Sequence, residues 1–191
     1  GVDQDDHRTP DLSEPIELLG QLKSRGVKMV NITVGNPYYN PHVGRPFDLP
    51  IDGGYTPDEH PLEGCARLFG VVRDLQKAHP DMTLVGTGFS WLRQFLGHVG
   101  AAMVDDGWLT VVGVGREAFA HPEFAYELLS NGNLDPRAVC ITCSRCTQIM
   151  RDEGRTGCVP RDHKVYSSIF LEGRRPDKGK PKKESRVAEH L

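Results

Sequence analysis

The stretch TLVGTGFSWLRQFLGHVGAAMVDDGWLTVVGVGREAF, residues 83 to 119, decides how this chain folds. Two short runs of aliphatic and β-branched residues, 82–86 and 109–115, predict buried strands. The segment between them, from about residue 92 to 104, predicts a helix. A strand, a helix and a second strand in this order are typical of parallel strands joined by a crossover connection.

The residues that precede this stretch repeat the alternation. Ser13 can cap a helix that ends at Gly26, and the β-branched run 27–35 predicts another buried strand. A helix over 62–78 separates that strand from the next, and a helix over 123–129 follows the last. We therefore predict an α/β chain with three parallel strands. Three strands cannot close a barrel, so they form either a small open sheet or part of a larger barrel.

Composition and charge describe a globular protein of single-domain size. The chain has 191 residues, of which 38% are hydrophobic and 26% charged, and its formal net charge of −3 indicates no general affinity for nucleic acid. No apolar run is long enough to cross a membrane, and the polar first residues carry no signal peptide. Five cysteines without secretory features favour a reducing compartment. We expect a cytoplasmic protein with no membrane partner.

The C-terminal segment has a different composition. Residues 167–191 are rich in basic side chains: Arg174, Arg175, Lys178, Lys180, Lys182, Lys183 and Arg186. Such a composition predicts a solvated, disordered tail. No aromatic residues alternate with these charges, so we expect no binding to nucleic acid.

Glycine-bearing turns follow two of the predicted strands. Glycine allows a ligand to approach the backbone closely, and backbone N–H groups near the start of a helix favour a phosphate. An arginine adds a bidentate contact to the same anion. The glycines of either turn alone are explained if they merely permit a tight turn. Two successive glycine turns with an arginine favour a phosphate site. Its candidate residues are Gly86, Thr87, Gly88, Gly113, Gly115 and Arg116.

Four of the five cysteines lie in CITCSRCTQIMRDEGRTGC, residues 140 to 158. Two residues separate the first cysteine from the second and the second from the third, and eleven separate the third from the fourth. Iron–sulfur clusters are held by four thiolates, several of which are closely spaced in the sequence. Zinc sites more often combine two separated pairs, so zinc is the second alternative. The fifth cysteine, Cys65, lies in a predicted helix and is expected to be a small buried hydrophobe. The candidate metal ligands are Cys140, Cys143, Cys146 and Cys158.

These motifs together resemble the C-terminal half of Old Yellow Enzyme-type NADH:flavin oxidoreductases. The nearest branch is the iron–sulfur one, which includes 2,4-dienoyl-CoA reductase and trimethylamine dehydrogenase. VKMVNITVG resembles strand six of the family's TIM (β/α)8 barrel, TLVGTGFSW strand seven, and LTVVGVGREAFAHPEF strand eight with its following helix. The resemblance implies a partial barrel over 1–135, an iron–sulfur segment over 136–166 and a tail over 167–191.

The resemblance also implies an activity. Members of this branch use FMN and a [4Fe–4S] cluster with NADH or NADPH as electron donor, and an ene-reductase acts on a small unsaturated substrate. Gly115 and Arg116 would contact the FMN phosphate, assisted by the backbone of 86–88 and Gly113. The alternative is a cluster- or zinc-binding module that transfers electrons or scaffolds a partner without flavin.

The sequence departs from the family pattern in several places. The first five strands are missing, and with them a tyrosine that donates protons in several members. Ala138-Val139 stands where the family has Arg-Pro before its first cysteine. Another chain or a further N-terminal segment would have to complete the barrel, and a homo-oligomer remains an open alternative.

One histidine is a candidate for catalysis. In the family the loop after strand six lies at the barrel mouth, where substrate stands over the flavin. The corresponding loop here contains His42, and histidine is a residue type that suits proton donation or substrate anchoring. Family members place a histidine at a shorter spacing after this strand, so an ordinary loop histidine is the alternative. Tyr38, Tyr39 and Asn40 are candidate wall residues.

Overall fold

A computed structural model describes residues 1–6 and 9–175 of the chain. The chain divides into two compact units, of which the first ends at Ser144 and the second begins at Arg145. The first unit contains the sheet and most of the helices. The helices are α1 Ser13–Ser24, α2 Pro41–Gly44, α3 Pro61–Ala78, α4 Leu96–Asp105, α5 Arg116–Ala120, α6 Phe124–Asn131, α7 Arg145–Arg151 and α8 His163–Gly173, with a 3₁₀ helix at Phe89–Phe95.

The sheet has three strands in the order β1, β2, β3, and both pairings are parallel. The strands are β1 Met29–Asn31, β2 Thr83–Gly86 and β3 Val111–Val112. Asn31 lies opposite Val85, and Gly86 lies opposite Val112. The α/β class and the three parallel strands predicted from the sequence are therefore confirmed.

Helix α3 supplies much of the core. Pro61 occupies its first turn, where the missing N–H costs no hydrogen bond, and the His60 side chain accepts the Leu62 N–H at 3.2 Å. One face of the helix is buried, with Val72 and Cys65 fully enclosed. Apolar residues at helical spacing produce this face, and its burial against the sheet stabilises both elements.

Side chains from β2, α3 and the 3₁₀ helix meet around the centre of β2. Leu84 and Phe89 are fully buried, and the rings of Phe69 and Phe89 lie 4.7 Å apart between centroids. Gly86 lies against this core, since a Cβ at that position would come within 2.7 Å of the Leu109 side chain. The close packing of Leu109 explains why β2 ends in glycine.

The strands are shorter than the sequence predicts. The run 27–35 yields only three residues of strand, and 109–115 yields two. Met29 is 59% exposed and Asn31 is also exposed, so the expectation of a buried first strand is wrong. It is an outer strand of the sheet, and outer strands are buried less than central ones.

Two predicted helix boundaries also differ. Ser13 is the first helical residue rather than the cap, because Leu12 holds the cap position and the Asp11 carboxylate accepts the Ser13 N–H and hydroxyl. The helix expected over 92–104 begins as 3₁₀ turns at Phe89. Arg93 interrupts those turns with φ 55° and ψ −130°, and regular α-helix starts only at Leu96.

The second unit contains α7 and α8 as far as residue 175. Gly154 lies between the side chains of Ile149 and Ile169, and a Cβ there would approach Ile149 to 2.8 Å. Arg174 forms an ion pair with Asp152. Residues 167–173 are therefore helical where the sequence predicts a disordered tail, and 176–191 lie outside the described residues.

Within residues 1–6 and 9–175, no helix combines the length and the apolar composition that crossing a bilayer requires.

We expect Leu84→Ala to lower the free energy of unfolding of the first unit by about 2–5 kcal/mol, because the substitution leaves a cavity at the centre of the sheet. Leu129→Ala is the matched control, since Leu129 is 89% exposed and its truncation should cost less than about 0.5 kcal/mol. Both tryptophans lie in the first unit, so urea unfolding followed by tryptophan fluorescence measures it. Equal losses for the two variants would contradict the assigned core.

Candidate functional site

The turns that follow β2 and β3 lie side by side at the carboxyl edge of the sheet. The Gly113 N–H donates to the Gly86 carbonyl at 2.7 Å, which continues the pairing one residue beyond the end of β3. Because parallel strands end at the same edge, residues 87–88 and 114–116 leave the sheet together. The structure therefore brings the two predicted phosphate turns into one place.

Three glycines of these turns are required by the packing of the protein itself. A Cβ on Gly88, which has φ +104°, would lie 2.8 Å from the Leu68 side chain. A Cβ on Gly113 would lie 2.8 Å from Val85 and 2.9 Å from the Gly86 carbonyl oxygen. Together with Gly86, these positions need glycine whether or not a ligand binds.

The remaining turn residues differ in what they can offer a ligand. The Thr87 hydroxyl donates to the Ile32 carbonyl at 2.8 Å, so it ties β2 to β1. Gly115 borders open space, because a Cβ at that position would meet nothing within 4 Å. Among the predicted phosphate contacts, Gly115 is the glycine whose neighbourhood has room for an anion.

Arg116 is the first residue of α5 and is buried at this edge, with 9% of its surface exposed. Its Nη2 donates to the Pro46 carbonyl at 2.5 Å, so part of the guanidinium holds the 36–60 loop in place. Burial raises the pKa of the nearby Cys65 thiol to about 11, and the positive charge of Arg116 opposes that rise. Cys65 lies 3.6 Å from the Gly88 carbonyl and is fully buried, as the sequence predicts.

The residue after Arg116 connects this edge to the cysteine segment. Glu117 is fully buried, and its Oε2 accepts the Cys140 N–H at 2.8 Å. Its own N–H donates to the Ser90 hydroxyl at 3.3 Å. On the other side, His121 lies 3.8 Å from Oε1 and 3.0 Å from Glu127. A buried carboxylate thus positions the first cysteine.

The backbone around the first two cysteines is unusual. Thr142 and Ser144 have φ of 49° and 57°, although neither is glycine, and both are buried. The Thr142 N–H donates to the Cys140 Sγ at 3.3 Å. A positive φ at such residues costs free energy, so surrounding contacts must maintain this backbone conformation. Backbone strain of this kind clusters at functional sites. The loop directs the Thr142 N–H towards the Cys140 sulfur.

A second contact holds the same loop. The Asp48 N–H donates to the Thr142 hydroxyl at 3.3 Å, and the Asp48 carboxylate accepts the Trp91 indole N–H at 2.8 Å. Arg93, the residue with the strained backbone, pairs with the same carboxylate. Trp91 therefore has a structural role.

All five cysteines are free of disulfide bonds. Cys140 and Cys143 belong to the first unit, and Cys146 and Cys158 to the second. Within residues 1–6 and 9–175, no three His, Cys, Asp or Glu side chains form a group that could hold a metal ion. The four-cysteine site stays a prediction of the spacing.

His42 lies in the short helix α2 and contacts two side chains, those of Tyr55 and Glu59. Its Nδ1 lies 2.6 Å from the Tyr55 hydroxyl, and its Nε2 lies 3.7 Å from Glu59 Oε1. The other Glu59 oxygen pairs with Arg67 of α3. The sequence identified His42 but not these partners, because they come from positions 13 to 25 residues further along the chain.

The predicted wall residues near His42 fall into two groups. Tyr38 and Tyr39 are 87% and 83% exposed, so their rings lie in solvent. Asn40 instead accepts the Asn36 N–H at 2.8 Å and lines a cavity together with His42. Tyr38 and Tyr39 do not line this cavity, and their role as wall residues stays a prediction.

The sequence did not indicate three carboxylates that contact the candidate site residues or their loop: Asp48, Glu59 and Glu117. Glu117 directly follows the predicted phosphate arginine, and its burial is visible only in the fold. No motif surrounds Asp48 or Glu59.

Comparisons with known proteins add no assignment: no family model matches the chain, and neither a curated protein nor a solved structure does. The resemblance to flavin oxidoreductases therefore depends on the quoted residues and stays a prediction.

We expect Glu117→Ala to loosen the Cys140–Ser144 loop, because the buried Cys140 N–H loses its acceptor. The cost should be about 1–3 kcal/mol, with faster amide exchange at Cys140 and faster alkylation of its thiol. Glu117→Gln keeps an acceptor and should have a smaller effect, and Glu123→Ala, at an exposed position, should have none. Unchanged exchange at Cys140 in Glu117→Ala would show that other contacts hold the loop.

Proposed function

We propose that this chain is the C-terminal part of an oxidoreductase that uses FMN, a [4Fe–4S] cluster and NADH or NADPH to reduce an activated C=C bond. The observation that carries the proposal is the Cys140–Ser144 loop, in which a backbone N–H donates to sulfur and two buried residues have positive φ. This loop is tied by Glu117 to the helix that follows β3.

The cluster would be held by Cys140, Cys143, Cys146 and Cys158. Ligating thiolates carry negative charge, and hydrogen bonds to their sulfurs help to set the reduction potential of a cluster. The Thr142 N–H supplies such a bond at Cys140. If the cluster binds here, the strained backbone at Thr142 and Ser144 would orient the neighbouring thiol ligands.

The barrel hypothesis would give both outer strands of the sheet a further partner. As outer strands, β1 and β3 each have one edge that pairs with no other strand among the described residues. Met29 and Val111 on these strands are 59% and 38% exposed. Strands six to eight of a barrel would pair at both edges with strands that another chain or a further segment supplies.

The flavin phosphate would bind beside Gly115 and Arg116. Gly115 has open space next to its Cα, and the Arg116 guanidinium provides a buried positive charge at the same turn. Bound flavin accepts and donates hydride, and the protein supplies position and electrostatics. Pro46, through its contact with Arg116, couples this turn to the 36–60 loop, which contains His42.

The second candidate is a cluster- or zinc-binding module without flavin. The observation that favours it is that Gly86, Gly88 and Gly113 are all required for internal packing, so their presence needs no phosphate. Such a module would use the cysteine segment alone.

Anaerobic purification of the chain separates the two candidates. The oxidoreductase requires a visible spectrum with flavin bands and a broad iron–sulfur shoulder, together with acid-labile sulfide. A cluster spectrum that stays free of flavin after incubation with FMN would support the module. A colourless protein with stoichiometric zinc would contradict the iron–sulfur assignment in both candidate functions.

We expect Cys143→Ser to lower bound iron from about four atoms per chain to a small fraction, because a serine hydroxyl replaces a thiolate ligand. Cys65→Ala is the matched control, since Cys65 is a buried core thiol outside the cysteine segment and its removal should leave iron unchanged. Iron and sulfide analysis of both variants measures the effect. Retention of full iron content in Cys143→Ser would refute the ligand assignment.

We expect Arg116→Ala to weaken FMN binding by about 10–100-fold while iron content stays unchanged, because a charged hydrogen bond to phosphate contributes about 1.5–3 kcal/mol. Arg137→Ala removes an exposed arginine of equal charge and should leave FMN affinity unaltered. Fluorescence titration with FMN measures both. Equal affinities in the two variants would remove Arg116 from the phosphate site.

A further inference from the structure

One buried hydroxyl of the Cys140–Ser144 loop makes no hydrogen bond. The Ser144 side chain is 2% exposed, and its Oγ has no hydrogen-bond partner in the part of the chain that the structure describes. A hydroxyl that leaves water without a new partner loses the hydrogen bonds it made to solvent, and buried side-chain hydroxyls are for this reason nearly always paired. The burial of Ser144 therefore needs a partner that the protein itself does not supply.

The other buried hydroxyl of the loop differs from Ser144 in this respect. The Thr142 Oγ1 accepts the Asp48 N–H at 3.3 Å. Both residues have a positive φ, 49° at Thr142 and 57° at Ser144. The fold thus pairs the hydroxyl at one of these two strained positions and leaves the other without a partner among the described residues.

A role as a helix cap does not explain Ser144. The residue directly precedes α7, and a serine in that position commonly uses its hydroxyl to accept a backbone N–H of the first helical turn. Such a cap has an extended backbone, whereas Ser144 has a φ of 57°. A left-handed backbone is adopted most easily by glycine or asparagine, so the chain keeps a hydroxyl here at a conformational cost.

The loop that contains Ser144 is built around thiols. Ser144 directly follows Cys143, and neither Cys140 nor Cys143 forms a disulfide. The Thr142 N–H already donates to the Cys140 Sγ at 3.3 Å, so the loop supplies hydrogen bonds to sulfur. These residues of the first unit fit a thiolate-bound metal centre, because they combine two thiols, one backbone donor to sulfur and one buried hydroxyl with a proton to donate.

We propose that the Ser144 hydroxyl donates a hydrogen bond to a sulfur atom of the iron–sulfur cluster and thereby raises its reduction potential. The inference rests on the proposed function in one point, the presence of the cluster in the cysteine segment, and it names a residue that sets the properties of that site. A donor near sulfur stabilises the reduced form more than the oxidised form, because the reduced form carries one more negative charge. Burial strengthens this effect, since the local dielectric constant is low.

The test is a redox titration of the full chain, purified anaerobically with its cluster and followed by the EPR signal of the reduced form. We expect Ser144→Ala to shift the midpoint potential to a more negative value. At the midpoint of the unaltered chain, the ratio of oxidised to reduced cluster should be about 2–10-fold higher in this variant, as expected for the loss of one hydrogen bond. Iron and sulfide content should stay unchanged.

Two further variants make the comparison specific. Ser144→Gly removes the same hydroxyl and suits the positive φ, so it should show the same shift even where Ser144→Ala folds poorly. Ser130→Ala removes an exposed hydroxyl of the first unit and should leave the midpoint potential unaltered.

Electron–nuclear double resonance of the reduced cluster separates a hydrogen bond from a general disturbance of the loop. Spectra recorded in light and heavy water identify the exchangeable protons close to the cluster. We expect one such proton in the unaltered chain and in Ser130→Ala that is absent from both Ser144 variants. A disturbance of the loop alone would change the potential without removing this one proton.

Equal midpoint potentials in the unaltered chain and both Ser144 variants would overturn the proposal, and would indicate that a buried water pairs with the hydroxyl instead. An exchangeable-proton spectrum that both variants leave unchanged would overturn it as well. If iron and sulfide are bound but neither effect is seen, this inference alone is wrong. If the chain takes up no cluster, the proposed function is wrong too.

Discussion

The hydrogen bond from the Gly113 N–H to the Gly86 carbonyl is the contact on which the rest of the first unit depends. It holds two strand ends together where β3 has already finished, and both positions must be glycine because neighbouring side chains and backbone fill the space of a Cβ. The 3₁₀ segment and α5 start from the turns that this contact aligns. Arg116 and Glu117 reach the carboxyl edge of the sheet for that reason.

Glu117 connects the carboxyl edge of the sheet to the first cysteine of the cysteine segment. A fully buried carboxylate is costly unless hydrogen bonds satisfy it, and here the acceptor is matched by the Cys140 N–H. The same loop contains two non-glycine residues with positive φ, each of which costs about 1–3 kcal/mol. Two contacts oppose that cost, one from Glu117 and one from Asp48. The loop conformation is therefore maintained by the fold around it and not by local preference.

Much of the fold could be predicted because its signals are local. The apolar runs at β2 and β3, the helical spacing in α3 and the glycine turns are read from neighbouring residues, and all three strands lie where the sequence places them. The exposure of Met29 could not be predicted, since a run of β-branched residues does not reveal whether its strand is central or outer. The contacts of Arg116 with Pro46 and of His42 with Tyr55 and Glu59 join distant positions, for which no spacing rule exists.

The sequence by itself determined the α/β class, the parallel order of strands and helices, and a set of four closely spaced thiols with candidate turns before them. These properties depend on residue type and on periods of two to four residues. Only the tertiary structure decided which glycines serve packing, which carboxylate orients Cys140, and which phenol and acid flank His42. The physical reason is burial: whether a polar side chain binds a ligand or a protein group depends on what the fold brings within about 3 Å of it.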